Sequence, residues 1–223
     1  MRKLSLLSLL IVSQFALSVE PTVATKIALS ADEHAALVAQ AQAIHASALT
    51  IDAHADIEIP GKPSMYVGSD GLSKVAPQKM QKGDLDAVVM SLAVGPMPRT
   101  PDGYVAAKAL AQTKLAAVNA LVADPANNTV MVKSTAELSA AHTAGKSALI
   151  LGFQNALILG TDVGGIDSLY SSGARVFALT HMGHNNFADS SRTLFDGETG
   201  TREPDAEHGG LSSLGKAAVQ QVN

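Results

Sequence analysis

Cysteine and tryptophan are both absent from this chain of 223 residues, and aromatic residues make up only 4% of it. Without cysteine, disulfide bonds, thiolate zinc sites and cysteine nucleophiles are all excluded. So few aromatic side chains also offer little stacking surface for nucleobases or sugars. Any metal site must therefore use other nitrogen and oxygen ligands, for which seven His and 20 Asp plus Glu are present.

Charge is also sparse, at 16% of residues, with a formal net charge of −4. The chain has no long basic run, so we expect no nucleic-acid partner. The hydrophobic fraction of 47% is ordinary for a soluble globular protein. The length fits one domain or one large domain cut short.

The first residues have the pattern of an export signal. Arg2 and Lys3 form a short basic segment, a mostly apolar run follows over residues 4–17, and small residues stand at cleavage spacing. The run is too short for a comfortable membrane span. We therefore predict a signal peptide over residues 1–24 and one domain over residues 25–223, which would be secreted or periplasmic, with no integral membrane span after cleavage.

Apolar patterns predict alternating strands and helices. Strands are expected at residues 49–54, 87–94, 129–132, 148–153 and 175–180. Helices are expected at residues 30–47, 103–123, 135–144, 166–172 and 211–222, the first with a capping box of Ser30 and Glu33. This α/β alternation is typical of a parallel sheet, either open and doubly wound or closed as a (β/α) barrel. Because a closed barrel has eight strands, about five strands predict an open sheet or an incomplete barrel.

Polar side chains cluster just after these strands, where parallel α/β folds build their active sites. His54 and Asp56 are separated by one residue, so both side chains are expected on one side of the first strand. An imidazole and a carboxylate suit Zn²⁺, although an ordinary hydrogen-bonded pair at a strand end is the alternative. Gln154 follows the fourth strand, and His181 and His184 follow the fifth.

Several short segments, in order along the chain, resemble the membrane dipeptidase (renal dipeptidase) family of zinc peptidases. They read IDAHADI from Ile51, KGDLDA from Lys82, AGKSALILG from Ala144, LTH and FADS between residues 179 and 190, and GLSSLG from Gly210. The resemblance covers residues 51–223. It implies a (β/α)₈ barrel of the TIM type that holds two zinc ions.

The resemblance also implies roles for individual residues. By position, His54 and Asp56 would bind the more buried zinc ion. His181 would contact the substrate or stabilise its tetrahedral intermediate, and His184 is a further candidate for substrate binding. The family's next metal-binding histidines and an acidic catalytic residue would fall beyond Asn223, so we expect an N-terminal portion of such a protein.

Gln154 stands where the family has a Glu that bridges its two metal ions. A carboxylate binds two cations through two anionic oxygens, whereas an amide has one good oxygen ligand and no charge. Two nearby zinc ions repel each other, so loss of the bridging charge should weaken the second site. The resemblance therefore leaves the number of zinc ions at one or two.

The predicted function is zinc-dependent hydrolysis of dipeptides or similar small amides by a metal-activated hydroxide. The expected partner is a small peptide substrate, and a homodimer is left open. Two alternatives remain. Gln154 favours a non-catalytic exported binding protein on a degenerate metallopeptidase barrel, and another metal-dependent amidohydrolase would use the same ligands.

Overall fold

The computed structural model describes residues 29–197 and 199–223, so the predicted signal peptide lies outside the described residues. The chain divides after Ala41 into two units. Helix α1 (Ala31–Ser47) begins with the predicted capping box, since Ser30 N donates to Glu33 at 2.9 Å and Glu33 N donates to Ser30 Oγ at 3.3 Å. In the described part of the chain, no helix is both long and apolar enough to cross a membrane.

The unit that follows Ala41 alternates strands and helices as predicted. Its strands are β1 (Ile51–Asp56), β2 (Ala87–Ala93), β3 (Thr129–Met131), β4 (Ser147–Gln154) and β5 (Ala174–Ala178). Its helices are α2 (Pro77–Lys82), α3 (Pro101–Ala123), α4 (Thr135–Thr143), α5 (Gly165–Ser171) and α6 (Ser213–Val222). Helix α2 and a small antiparallel hairpin, β6 (Phe195–Asp196) with β7 (Thr201–Arg202), were not predicted.

Strand β4 is the centre of a parallel five-stranded sheet. Strand β2 pairs with β4 along one side, and β1 pairs with the outer side of β2. The other side of β4 is shared, because β3 pairs with residues 147–149 and β5 pairs with residues 151–154. Strands β1, β2, β4 and β5 therefore bring their carboxyl ends to one edge of the sheet, whereas β3 stops short of it.

The two faces of the sheet belong to different apolar clusters, because alternate residues of a strand point to opposite faces. Val88 and Leu149 belong to the main core, which includes residues of α3, α5 and α6. Ala87 and Ala148 belong to a smaller cluster with Ala141 of α4. By the same alternation, the side chains of Ser91 and Gln154 lie on the face that carries α4, near the carboxyl edge of the sheet.

Helix α3 has sequence signals at both ends. The Thr100 side chain accepts a hydrogen bond from Gly103 N, and Pro101 occupies the first turn, where no backbone donor is needed. At the other end, Asp124 precedes Pro125 and is extended, because a residue before proline disfavours the helical conformation. These signals fix the length of the helix that carries Lys114.

Candidate metal and substrate site

A cavity of about 540 Å³ lies at the carboxyl edge of the sheet. His54 and Asp56 of β1, Gln154 of β4 and His181 from the loop after β5 all line it. The structure therefore brings together most of the site residues predicted from the sequence, from three separate segments of the chain.

Strand β1 has an irregular register beside this cavity. Asp52 pairs with Val88, but the next pair along the strand is Ala55 with Met90, so β1 contains one more residue than β2 between these pairs. Such bulges re-aim side chains and are frequent next to active sites. The two metal-ligand candidates of β1 line the same cavity, as the sequence predicted.

One nitrogen of the His54 ring contacts a serine hydroxyl. Its Nδ1 lies 3.3 Å from Ser91 Oγ, while Nε2 has no partner among the described residues. A Cβ at Gly152 would lie 3.3 Å from the same Ser91 Oγ, so glycine leaves room for this contact. Metal-binding histidines usually have their second ring nitrogen hydrogen-bonded, which fixes the orientation of the ring.

Two polar atoms at the cavity lack partners. Gln154 Oε1 and His181 Nδ1 are buried and form no hydrogen bond among the described residues. An unsatisfied buried polar group costs about 1–3 kcal/mol, so a water, a metal ion or a substrate group that contacted these two atoms would be stabilising. An amide oxygen is a suitable oxygen ligand for a cation.

The residues present fit a metal ion only if Gln154 is counted. Within the described ranges, no group of three His, Cys, Asp or Glu side chains is arranged to hold a metal. His54 and Asp56 supply an imidazole and a carboxylate, and the unpartnered Gln154 oxygen is a third candidate ligand. Zinc commonly takes four ligands, of which one is water at a catalytic site.

A lysine stands beside Asp56. Lys114 Nζ of α3 lies 3.6 Å from Asp56 Oδ1, and the two side chains are 13% and 17% exposed. The distance is that of an ion pair and exceeds that of a hydrogen bond. Sequence reasoning missed this contact, because no local pattern connects a mid-helix lysine to a strand far back along the chain.

His184 does not line the cavity. It is buried, its Nδ1 accepts a hydrogen bond from Ser190 N at 3.0 Å, and its Nε2 lies 2.7 Å from Pro204 O. An accepting Nδ1 makes Nε2 the donor to Pro204 O in the neutral ring. The geometry therefore gives His184 a structural position inside the loop, in place of the predicted substrate contact.

Ser190 connects His184 to His181. Its hydroxyl donates to the backbone oxygen of His181 at 2.5 Å, and its backbone N–H donates to His184. Ser190 also lines the cavity. The conformation of the segment that carries His181 is therefore held by hydrogen bonds from within the same loop.

Asp189 connects the loop after β5 to residues 207–210. Its carboxylate accepts hydrogen bonds from the backbone N–H groups of Glu207, His208 and Gly210. Burial raises the pKa of Asp189, but these backbone N–H groups outweigh that effect and lower the pKa to about 2. The carboxylate is consequently charged, and anchors residues 207–210, at any pH near neutrality.

Comparisons with known proteins agree with the resemblance seen in the sequence. A model of the membrane dipeptidase family, peptidase family M19, matches residues 38–223. The probable dipeptidase PvdM from Pseudomonas aeruginosa is 27% identical, with a TM-score of 0.72 over 84% of this chain and 47% of that chain. A comparison with curated proteins gives no significant match.

Two more distant structures share the fold. The metallopeptidase called dipeptidase AC is 18% identical, with a TM-score of 0.62 over 78% of this chain and 53% of that one. A metallopeptidase from Rhodobacter sphaeroides, liganded with a phosphinate mimic of the dipeptide L-Ala-D-Ala, is 16% identical, with a TM-score of 0.58 over 77% and 55% of the two chains.

The chain spans about half the length of these solved structures. They confirm the predicted α/β fold of the (β/α)₈ TIM-barrel type, of which the described residues form the five-stranded parallel sheet.

Proposed function

Because the chain belongs to the membrane dipeptidase family, we propose that it serves metal-dependent hydrolysis of dipeptides or similar small amides. One observation carries this proposal. His54, Asp56, Gln154 and His181 line a single cavity, and two of them have buried polar atoms without partners. A metal ion and a substrate would supply the missing contacts.

His54, Asp56 and Gln154 are the residues that would hold the ion. The Ser91 contact leaves Nε2 as the available ligand atom of His54, and Gln154 contributes its unpartnered Oε1. When bound, Zn²⁺ polarises an amide carbonyl and lowers the pKa of a bound water toward about 7. The choice of zinc follows the family and the nitrogen and oxygen character of the ligands.

His181 is the proposed substrate contact. With a proton on Nδ1, its ring would donate to the carbonyl oxygen of the amide, where negative charge develops during attack. Ser190 holds the His181 backbone, so little reorganisation is needed when substrate binds. The role of this residue is therefore to bind and stabilise that oxygen.

The test is an assay of the whole chain, reconstituted with zinc, on a panel of dipeptides, with released amino acids as the readout. We expect turnover that a chelator abolishes and zinc restores. His181→Ala should lower kcat by about 10²–10³-fold while leaving zinc content unchanged. His34→Ala, an exposed control on α1, should match the wild type. A zinc-loaded chain that releases no product from any dipeptide would contradict the proposal.

Gln154 supports a second candidate function, a binding protein without turnover. Its neutral amide removes the charge that a bridging carboxylate would supply, which weakens the case for a complete catalytic centre. This candidate predicts that dipeptides release heat on binding in calorimetry while a parallel product assay stays flat. Extending the product assay to other small and cyclic amides separates a dipeptidase from a related amidohydrolase.

Export is a further part of the proposal. Arg2, Lys3 and the apolar run over residues 4–17 support removal of a signal peptide and a secreted or periplasmic location. The intact mass of the protein recovered from a secreting bacterial host should correspond to cleavage near residue 24. Recovery of the uncleaved chain in the cytoplasm would contradict it.

A further inference from the structure

We infer that Lys114 is a fixed positive charge of the metal site and, together with the neutral Gln154, limits this cavity to a single divalent cation. The inference rests on the proposed function, since it concerns the same ligands. It goes further by assigning a role to a residue of α3, outside the strand ends that carry the predicted site residues.

The first step is the contact between Lys114 and Asp56. The ammonium lies 3.6 Å from Oδ1, and both side chains are mostly buried, at 13% and 17% exposed. Water screens charges weakly in such surroundings, so the lysine acts on any cation bound to Asp56. Because Oδ1 already faces a positive charge, Oδ2 is the oxygen that remains for a metal ion.

The second step concerns whether Lys114 strengthens or weakens the binding of a metal ion. Outer partners of metal ligands commonly strengthen metal binding by orienting the ligand through hydrogen bonds. At 3.6 Å, Lys114 and Asp56 form no hydrogen bond, so the orienting contribution is small. Electrostatic repulsion between the ammonium and the bound cation is what remains, and it lowers the affinity.

The third step concerns Gln154. Its amide offers one neutral oxygen, and that oxygen is buried without a partner. It can contribute to one ion, but it brings no negative charge to offset the repulsion between two. Lys114 and Gln154 therefore act in the same direction, since one adds positive charge and the other omits negative charge.

The fourth step is the charge of the remaining cavity wall. Asp52 and Asp56 supply two carboxylates, and Lys74 and Arg192 supply two cations that form no ion pair among the described residues. The formal charges that line the cavity thus cancel before Lys114 is counted. Such a wall suits one divalent ion and a small peptide better than two adjacent ions.

The experiment compares the zinc affinity and stoichiometry of four forms of the whole chain. The wild type, Lys114→Met, Lys114→Arg and Lys108→Met are titrated against a chromophoric zinc competitor, and bound metal is counted by elemental mass spectrometry. Lys108 is the matched control, because it is an exposed lysine on the same helix without an ion-pair partner among the described residues. Thermal unfolding of each metal-free form verifies that it folds.

We expect one zinc ion per wild-type chain. Lys114→Met should bind it at least about tenfold more tightly, because a close positive charge is removed. Lys114→Arg keeps the charge and should stay within about twofold of the wild type, as should Lys108→Met. If Lys114→Met fails to fold, Lys114→Gln keeps a polar tip and replaces it in the series.

Two zinc ions per wild-type chain would overturn the inference. So would a folded Lys114→Met variant with unchanged or weaker affinity, since either result means that the lysine does not oppose the cation. A wild-type chain that binds no divalent metal would contradict the proposed function itself, and the inference with it. The two kinds of failure are therefore told apart in one titration.

Discussion

The side-chain amide of Asn185 donates to Asn155 Oδ1 at 3.1 Å, and each residue is 1% exposed. Asn155 also donates to Val94 O at 3.2 Å, and Asn185 donates to Leu179 O at 2.7 Å. One buried pair thus ties together the segments that follow β2, β4 and β5. Asn155 has a φ of 82°, a conformation that Asn tolerates better than most residues, directly after the cavity residue Gln154.

We predict that loss of this asparagine pair strongly destabilises the protein. Asn185→Ala should lower the free energy of unfolding by about 3 kcal/mol, because several buried groups lose their partners at once, each at a cost of about 1–3 kcal/mol. Urea unfolding measures the change. Asn119→Ala, an exposed substitution on α3, should stay within about 0.5 kcal/mol of the wild type. Similar effects of the two substitutions would show that the pair does not hold the edge of the sheet.

Asp189 predicts a pH dependence in acid. Its pKa is about 2 in the folded protein and about 3.9 when unfolded. The stability that it contributes is therefore present above about pH 4 and is lost as pH falls through about 2. Urea unfolding at several pH values in this range gives the free energy of unfolding as a function of pH. This free energy should fall less steeply with decreasing pH in Asp189→Asn than in the wild type. Asp205→Asn, an exposed control between β7 and α6, should retain the wild-type dependence of stability on pH.

Helix α6 approaches the loop after β5 so closely at Gly215 that we expect no larger side chain to fit there. A Cβ at this position would overlap the backbone oxygen of Phe187, which is fully buried. Gly215→Ala should therefore destabilise the protein by about 1–3 kcal/mol as the helix and the loop move apart. Thermal unfolding is the measurement, with Gly95→Ala as the control because an added Cβ there meets nothing within 4 Å. Equal melting temperatures for both variants would contradict this packing.

The proposed ligands predict metal-linked stability. At a free zinc concentration 100 times its Kd, bound zinc should add about 2.7 kcal/mol to the free energy of unfolding, and a chelator should reverse the change. Asp56→Asn should lose most of this gain, because it replaces a charged ligand with a neutral one. His34→Ala should keep the gain. A zinc-induced shift of equal size in Asp56→Asn would remove Asp56 from the ligand set.

The sequence predicted the elements whose signals are local. The apolar spacing of residues 103–123 predicted α3, which begins two residues earlier at Pro101. Gly145, with a φ of 62°, follows α4, where the predicted helix ends. The sequence could bring His54, Asp56, Gln154 and His181 together because each lies at or just after the carboxyl end of a strand. Parallel strands share one carboxyl edge.

The remaining features depend on contacts between distant segments. Nothing near residue 129 indicates that β3 pairs with the first half of β4 only, since that follows from where β5 lies. Likewise, His184 lies only three residues after His181, and only the folded loop turns it toward Pro204. The position of Lys114 beside Asp56 is of the same kind.

The exposed strand β1 has a consequence for how the site is assembled. Among the described residues β1 pairs only with β2, and its Ile51 side chain is 45% exposed. Any strand that covered this open side would come to lie alongside His54 and Asp56 as well. Protection of this sheet edge against pairing with other molecules and closure of the wall beside the candidate site would then be one structural event.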